Sequence, residues 1–313
     1  MTQGTRRGHN DLPSEHDVDV YDVLVLGAGF AGLGAARALL EERGELDVLV
    51  LEARERLGGR AHTDVRFAGF PVELGAEFIH GGRVPTWAFV ERLGLTTVHW
   101  NKLDDSWVRL TDGRRLTMRE ARAADPALEA TRAWRLPPIR PRRHESFGAY
   151  LRRIGFDHAR LDYVRRAFAN AAGESMRFLD ATTVLEELRM TPAHGEEDHR
   201  ILEGYGAIVE ALGVGPELLT GTIVTRVEWG EGGVVVRDHE GHAFRGRAAV
   251  VTLPVGVLQA GGVEFDPPLP EQKDVALAGI GMGPVVKLVY RFADPITPDD
   301  ITAVYAAGNP PMW

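Results

Sequence analysis

The clearest hydrophobic pattern in the chain lies near its start. VYDVLVLG (20–27) is a short, nearly all-apolar run, which is typical of a parallel strand buried on both faces. In the GAGFAGLGAARALLEERG stretch that follows, apolar positions recur at helical spacing until Gly44. DVLVLE (47–52) is a second apolar run of strand length. The order strand, helix, strand predicts a βαβ unit of about 30 residues.

The pattern changes twice further along the chain. Residues 115–200 carry mostly helical spacing, as in SFGAYLRRI, DHARLDYVRRAFANAA and TTVLEELRM. Residues 221–254 are rich in strand-forming residues and contain the turn signals GEGG and HEGH, which predicts a β-meander. GPVVKLVYRF (283–292) is predicted to be a further strand. Strands therefore resume after a helical stretch, so we expect an α/β domain whose sequence is interrupted by a second domain.

Glycines join the first predicted strand to its helix. Gly27, Gly29 and Gly32 form a GxGxxG set, in which the first glycine allows a tight turn and the second lets backbone approach a pyrophosphate. The phosphate then lies at the positive end of the helix. Glu52 follows Gly32 by 20 residues, at the end of the second strand, where a carboxylate can accept ribose hydroxyls. The unit predicts an adenine dinucleotide site and does not distinguish NAD from FAD.

A second glycine-rich loop, RERLGGR (54–60), follows this unit. Gly58 and Gly59 leave room for backbone near a cofactor, and the guanidinium of Arg60 can pair with phosphate. The alternative is an ordinary surface arginine on a loop.

The RLGGRAHT stretch, taken with Arg56, resembles the RxGGRxxT signature of the flavin-containing amine oxidase family. That family includes monoamine, polyamine, spermine and L-amino-acid oxidases and the lysine-specific histone demethylases. Further stretches agree, namely VELGAEFIHG (72–81), VVTLPVGVL (250–258), and FDPPLP followed by GIGMGPVVKLVYRF (265–292). The resemblance spans residues 20–292 and is closest to the polyamine and spermine oxidase group.

The resemblance implies an α/β fold: an FAD-binding, Rossmann-like doubly wound domain interrupted by a mixed α+β substrate domain. The FAD-binding domain would comprise residues 19–80 and 205–262, and the substrate domain residues 81–204 and 263–313. We expect residues 1–18, which are polar and aperiodic, to be a flexible tail. FAD would be held without a covalent bond, and the absence of cysteine excludes attachment through sulfur.

The resemblance also assigns residues to the cofactor. Ala76 and Glu77 would lie against the isoalloxazine, and Val224 would contact adenine through its backbone. The complete predicted cofactor set is Gly27, Gly29, Ala31, Gly32, Glu52, Arg54, Gly59, Arg60, Gly75, Ala76, Glu77 and Val224. Tyr205 and Gly206 resemble a further family segment, although Glu203-Gly204 stand in front of them.

Lys287 is the first candidate for a catalytic residue. Within VVKLVY (285–290), both faces of the predicted strand are apolar apart from Lys287, so this lysine either reaches a functional cavity or places a charge on an edge strand. The chain uses arginine almost everywhere, with lysine only at 102, 273 and 287. A desolvated lysine can work near neutrality, whereas arginine keeps its proton. In the family, a lysine at this position holds a water against flavin N5.

His80 is the second candidate. It resembles a histidine of spermine and acetylpolyamine oxidases that could bind an amine through its ring or assist deprotonation. The alternative is an ordinary loop histidine. The implied reaction is oxidation of an amine C–N bond, with hydride transfer to flavin N5 and reduction of O2 to H2O2. The small-molecule partners would be the amine and O2.

Composition narrows the remaining classes. A formal net charge of -9 argues against a nucleic-acid partner, and the lack of cysteine excludes disulfides, thiolate nucleophiles and zinc–cysteine sites. HGEEDH (194–199) fits no standard metal motif, so we expect no metal. No run approaches the ~20 apolar residues of a membrane span, and no signal peptide is recognised, which predicts a cytoplasmic protein.

Family members continue well beyond the lysine strand, with an aromatic pair and a glycine–glutamate motif that this sequence lacks. The resemblance therefore implies either a shortened gene product or a second chain that supplies the rest. The alternatives are a flavin desaturase or porphyrinogen oxidase, an inactive fragment that only binds a dinucleotide, and an NAD-dependent dehydrogenase. The last is least favoured, because RxGGRxxT has no role there.

Overall fold

A computed structural model gives the fold of the chain. The described residues are 6–7, 20–101, 104–109, 114–124, 139–158, 160–161, 164–165, 173–195, 197–294 and 303–306. The chain divides into two compact units, the first Met1–Glu77 with Glu203–Gly281 and the second Phe78–Leu202 with Met282–Trp313.

The elements are numbered along the chain. The strands are β1 (Arg6–Arg7), β2 (Val20–Leu26), β3 (Val48–Leu51), β4 (Thr63–Asp64), β5 (Val72–Glu73), β6 (Phe78–His80), β7 (Thr97–Trp100), β8 (Ser106–Arg109), β9 (Arg115–Thr117), β10 (Asp198–Ile201), β11 (Glu217–Leu219), β12 (Val224–Gly230), β13 (Gly233–Asp238), β14 (Ala243–Val251), β15 (Glu264–Asp266) and β16 (Ala303–Ala306). The helices are α1 (Phe30–Glu42), α2 (Thr86–Leu93), α3 (Met118–Ala124), α4 (Phe147–Arg153), α5 (Ala181–His194), α6 (Gly206–Leu212), α7 (Val255–Gln259) and α8 (Glu271–Gly279).

The first unit is built on an eight-stranded sheet of order β1-β11-β3-β2-β14-β13-β12-β15. Strands β11, β3, β2 and β14 run parallel, which confirms the predicted βαβ start. Every residue of β3 and the last four residues of β2 are buried, because their continuous apolar runs are covered on both faces. Strands β12 to β14 form the predicted antiparallel meander. The carboxyl ends of β2, β3 and β14 lie at one edge of the sheet, where the glycine turn (residues 27–32) begins.

Residues 263–281, which sequence analysis grouped with the second domain, lie in the first unit. The reason is strand pairing, since β15 runs parallel to β12 with Arg226 opposite Glu264. The guanidinium of Arg226 contacts the carboxylates of Glu264 at 2.6 Å and Asp266 at 2.5 Å. A strand of three residues cannot reveal from its own sequence which sheet edge it extends.

The predicted flexible tail is corrected at one place. Residues 6–7 form β1, which pairs in parallel with β11, Arg6 opposite Leu218 and Arg7 opposite Leu219. An edge strand offers unpaired backbone groups to any segment that reaches it, whatever the polarity of its side chains. The rest of the predicted tail, 1–5 and 8–18, lies outside the described residues.

The second unit contains two small sheets, of order β6-β10-β7 and β16-β8-β9. A cluster of buried side chains joins α4 to α5 through residues such as Phe147, Tyr150 and Leu185. The helices predicted at SFGAYLRRI and TTVLEELRM are confirmed. The helix predicted at DHARLDYVRRAFANAA falls partly outside the described residues. None of the described helices is both long and apolar enough to cross a bilayer.

The prediction of a strand at 283–292 is wrong. We call this stretch the lysine segment. It has no regular secondary structure, and no described strand pairs with it. Most of its apolar side chains are exposed, with Val286 at 79% and Leu288 at 69%. A strand is stabilised by a ladder and by burial of one face, and the described residues supply neither here.

Candidate functional site

The glycine turn, residues 27–32, occupies the carboxyl end of β2. Gly27 has φ +103°, a conformation that favours glycine, and its N–H donates to Leu51 O at 2.8 Å. A Cβ on Gly32 would lie 1.8 Å from Gly27 O, so no larger residue fits there without moving the backbone. Gly29 precedes α1 and, within the described part of the chain, no side chain caps that helix. The first-turn N–H groups are therefore available to an anion. Ala31 lies exposed in this turn.

Glu52 lies beside the glycine turn, directly after β3. It is only 8% exposed, and its carboxylate accepts the N–H of Ala28 at 2.8 Å and of Arg54 at 3.0 Å. These bonds satisfy the buried charge and hold the carboxylate at the turn. Each oxygen keeps a further lone pair, so the group can also accept hydroxyls. The uncapped helix, the close glycine contacts and this acid fit an adenine dinucleotide.

The arginine loop, residues 54–60, packs on the glycine turn. Gly58 and Gly59 have φ of +92° and +58°, and Gly58 N–H donates to Ala28 O at 2.8 Å. Arg56 braces the loop from within, its guanidinium donating to Gly59 O at 2.9 Å and to Leu57 O at 3.1 Å. Burial lowers the pKa of the Arg56 guanidinium from its ordinary value, and the charge of neighbouring Arg54 lowers it further.

The remaining arginines of this loop have a different environment. Arg54 is exposed and reaches Gly59 O at 3.3 Å, and Arg60 is exposed as well. Both guanidinium groups are thus accessible to phosphate, whereas Arg56 is engaged with backbone. Within the first unit, Gly59 lies against Gly29 of the glycine turn, and Arg54 reaches the backbone of Gly59.

Residues 74–77 lie against the arginine loop. Ala76 N–H donates to Arg60 O at 3.0 Å, and a Cβ on Gly75 would lie 1.9 Å from that same oxygen. Ala76 is exposed and Glu77 is half-buried. Val224, the last of the predicted cofactor residues, is buried at the start of β12.

Sequence analysis did not predict a hydrogen-bond network next to residues 74–77. Thr63 Oγ1 donates to Glu73 at 2.9 Å, and Glu73 Oε1 accepts the N–H of Tyr205 at 2.6 Å. Gly206 N–H in turn donates to Thr63 Oγ1 at 2.8 Å. The network ties the hairpin β4–β5 to the start of α6. Thr63 is the final residue of the RxGGRxxT match, and that position was the available signal. Nothing in the sequence pattern pointed to Glu73.

His80 and Lys287, the two catalytic candidates, both belong to the second unit. His80 ends β6 and pairs with Asp198 of β10, with 2.7 Å between Nδ1 and the carboxylate. Lys287 is exposed in the lysine segment. On the opposite face of the same small sheet, the His99 and His199 rings lie 5.1 Å apart. Burial lowers the pKa of His199, and His99 lowers it further. Among the described residues, no group of His, Asp and Glu is arranged to hold a metal ion.

The geometry first defines a class: an α/β protein with a mixed sheet, whose first parallel strand ends in a glycine turn with a buried acid beside it. Comparison with known proteins then gives the family. The family model for flavin-containing amine oxidoreductases matches residues 30–310. The chain therefore belongs to that family. This confirms the family and the FAD cofactor predicted from the sequence.

Individual relatives agree with this membership. Polyamine oxidase 2 of Arabidopsis thaliana is 31% identical over 297 residues, covering 86% of this chain and 58% of that protein. Polyamine oxidase 3 of Oryza sativa subsp. japonica is 28% identical over 329 residues, covering 96% of this chain and 64% of that protein. The structure of a wild-type putrescine oxidase bound to putrescine has a TM-score of 0.66 at 21% identity, covering 84% of this chain and 64% of that one. The chain thus spans about 58% to 64% of the length of these proteins.

Proposed function

We propose that this chain binds FAD in its first unit and serves the oxidation of a polyamine-like amine at a C–N bond. The observation that carries the proposal is the buried Glu52 carboxylate held at the glycine turn. Together with family membership, it supports a dinucleotide site rather than a glycine-rich turn without a ligand. The names of the plant relatives favour polyamine substrates over monoamines.

The cofactor role rests on groups of this chain. Glu52 would accept the ribose hydroxyls, and the uncapped N-terminus of α1 would hold the pyrophosphate. The exposed guanidinium groups of Arg54 and Arg60 would pair with phosphate oxygens. Gly75, Ala76 and Glu77 would lie against the ring system, and Val224 would contact adenine through its backbone.

The catalytic role is assigned to Lys287 and His80. When bound, the flavin would accept a hydride from the α-carbon of the amine, and O2 would reoxidise it with release of H2O2. The chain must deliver the amine in its neutral form, because an ammonium has no lone pair to expel the hydride. His80 would accept a hydrogen bond or a proton from the amine, and Lys287 would hold a water through its ammonium.

The proposal is tested by an absorption spectrum of the purified chain, followed by anaerobic addition of spermine, N-acetylspermine and benzylamine. We expect a flavin spectrum that a polyamine bleaches faster than benzylamine does. A colourless chain that takes up no added FAD would contradict the cofactor assignment. A flavin spectrum that no amine bleaches, together with oxidation of a porphyrinogen, would favour the desaturase or porphyrinogen oxidase alternative.

A further inference from the structure

His80 and Asp198 face each other across two antiparallel strands. They are direct partners in the register of β6 and β10. The adjoining pair carries the ladder bond, from Gly81 N–H to Glu197 O at 2.7 Å. His80 and Asp198 therefore occupy a non-hydrogen-bonded position, where side chains approach most closely. The resulting contact between Nδ1 and the carboxylate is 2.7 Å.

The two partners differ sharply in exposure. The side chain of His80 is 73% exposed, and that of Asp198 is 4% exposed. An exposed imidazole has little packing to hold its ring, so the hydrogen bond to a buried anchor sets its orientation. Burying a carboxylate is costly unless it is hydrogen-bonded, which makes an arbitrary placement at this position unfavourable.

The chemistry of the pair selects one form of the ring. A carboxylate only accepts hydrogen bonds, so the nitrogen that faces Asp198 carries the hydrogen. In the neutral ring the other nitrogen, Nε2, is then left with a lone pair. The ring is exposed, so that lone pair can be reached by a molecule from outside the unit.

We infer that Asp198 is a positioning residue, which fixes the Nδ1–H tautomer of His80 so that Nε2 presents its lone pair to an amine. The inference rests on the proposed function of His80 at an amine site. Other side chains on this sheet face are Phe78, stacked on Trp100 at 4.8 Å between ring centroids, and Arg200, over Phe78 at 4.9 Å. Phe78 is partly exposed and its ring centroid lies 5.9 Å from that of His80, so it offers an apolar edge beside the imidazole for a methylene of the amine, whereas Trp100 is buried beneath it.

The chain contains a reference pair for the test. In the first unit, His242 Nδ1 lies 3.0 Å from the carboxylate of Asp238. Asp238 also accepts the backbone N–H groups of Glu240 and His242, so that pair holds a turn. Both histidines should show a protonated Nδ1, but only His80 should respond to Asp198 and to an amine.

The experiment uses the full chain, loaded with FAD and labelled with 15N-histidine, in long-range 1H–15N spectra in alkaline buffer. His80→Gln assigns the His80 signals by their loss. We expect wild-type His80 as the Nδ1–H tautomer, against the Nε2–H preference of free imidazole side chains. Asp198→Asn should move His80 toward Nε2–H and leave His242 unchanged. Spermine should shift the Nε2 signal of His80 and leave that of His242 in place.

Two results would overturn the inference about Asp198. Wild-type His80 in the Nε2–H form overturns the inference even if Asp198→Asn fails to fold, and so does an unchanged tautomer in a folded Asp198→Asn. In steady-state assays, Asp198→Asn should raise KM for spermine on the order of tenfold, with a smaller change in kcat. If the chain oxidises no amine and spermine leaves His80 unmoved, the proposed function fails, while the tautomer still decides the role of Asp198.

Discussion

The glycine turn and the lysine segment both carry family motifs, yet only the glycine turn has the structure that the sequence predicts. The turn lies at the carboxyl ends of buried parallel strands and contacts the arginine loop through backbone. The lysine segment forms no regular element, and most of its apolar side chains are exposed. The glycine turn is marked by its own residue spacing and forms beside the distant strand β14, whereas the lysine segment has a strand-like composition but no neighbouring strand among the described residues. A strand motif whose partners are not among the described elements remains without a ladder.

The glycine turn should tolerate no side chain at residue 32. In Gly32→Ala the added Cβ would meet Gly27 O at 1.8 Å, so we expect a loss of about 4 kcal/mol in the free energy of unfolding and failure to retain FAD. Urea unfolding and the bound-flavin content measure this. Gly34→Ala is the matched control, because nothing lies within 4 Å of its added Cβ. A Gly32→Ala chain that unfolds like the control would refute the close contact.

Identical leucine truncations should separate the two regions. Leu24 in β2 is 0% exposed, and Leu24→Ala should lower the free energy of unfolding by about 3 kcal/mol. Leu288 in the lysine segment is 69% exposed, and Leu288→Ala should change it by less than about 0.5 kcal/mol. Urea titration followed by circular dichroism compares them. Equal costs would mean that Leu288 is covered in solution and would remove the contrast.

Lys287 tests whether the exposed segment still acts in catalysis. Lys287→Met removes the ammonium that would hold a water near the reacting amine, so amine-driven flavin reduction should slow about a hundredfold. FAD binding should not change. Anaerobic stopped-flow absorbance measures the rate, and Lys273→Met, on the exposed helix α8, serves as control. Unaltered reduction rates in Lys287→Met would exclude this residue from the mechanism.

Substitution of Glu52 tests whether the glycine turn binds FAD. Glu52→Ala removes the carboxylate that would accept the ribose hydroxyls, and FAD affinity should fall about tenfold. Quenching of flavin fluorescence on binding gives the dissociation constant. Glu55→Ala, an exposed carboxylate on the same loop, is the control and should bind like the wild type. Wild-type affinity in Glu52→Ala would show that the acid serves only the backbone of the turn.

Much of the first unit could be predicted because its signals are local. The apolar runs of β2 and β3 and the helical spacing of α1 lie within about 30 residues, and short connections make such elements neighbours. The meander β12–β14 was predicted for the same reason, from turns that separate adjacent strands. The place of β15 was not predictable in this way, because it joins β12 across the two intervening strands of the meander.

Within the candidate site, the glycines could be predicted because only glycine fits such close backbone contacts. Glu52 could be predicted because it lies at the expected distance in sequence from the glycines. The network of Thr63, Glu73 and Tyr205 could not. Its bonds join residues 132 and 143 positions apart, and no periodicity records such a contact. The strand prediction for the lysine segment failed for a related reason. Its composition suits a strand, but a strand also needs a partner to hydrogen-bond.

Sequence alone therefore predicts the glycine turn, since the GxGxxG spacing after an apolar strand marks it and its tightest contact, between residues 27 and 32, is local. It also establishes the family, through motifs that are each read within a few residues. The pairing of His80 with Asp198 needed the fold, because these residues are 118 positions apart and meet only through the register of two strands. A side chain's chemistry is local, but its hydrogen-bond partner depends on which strands lie side by side.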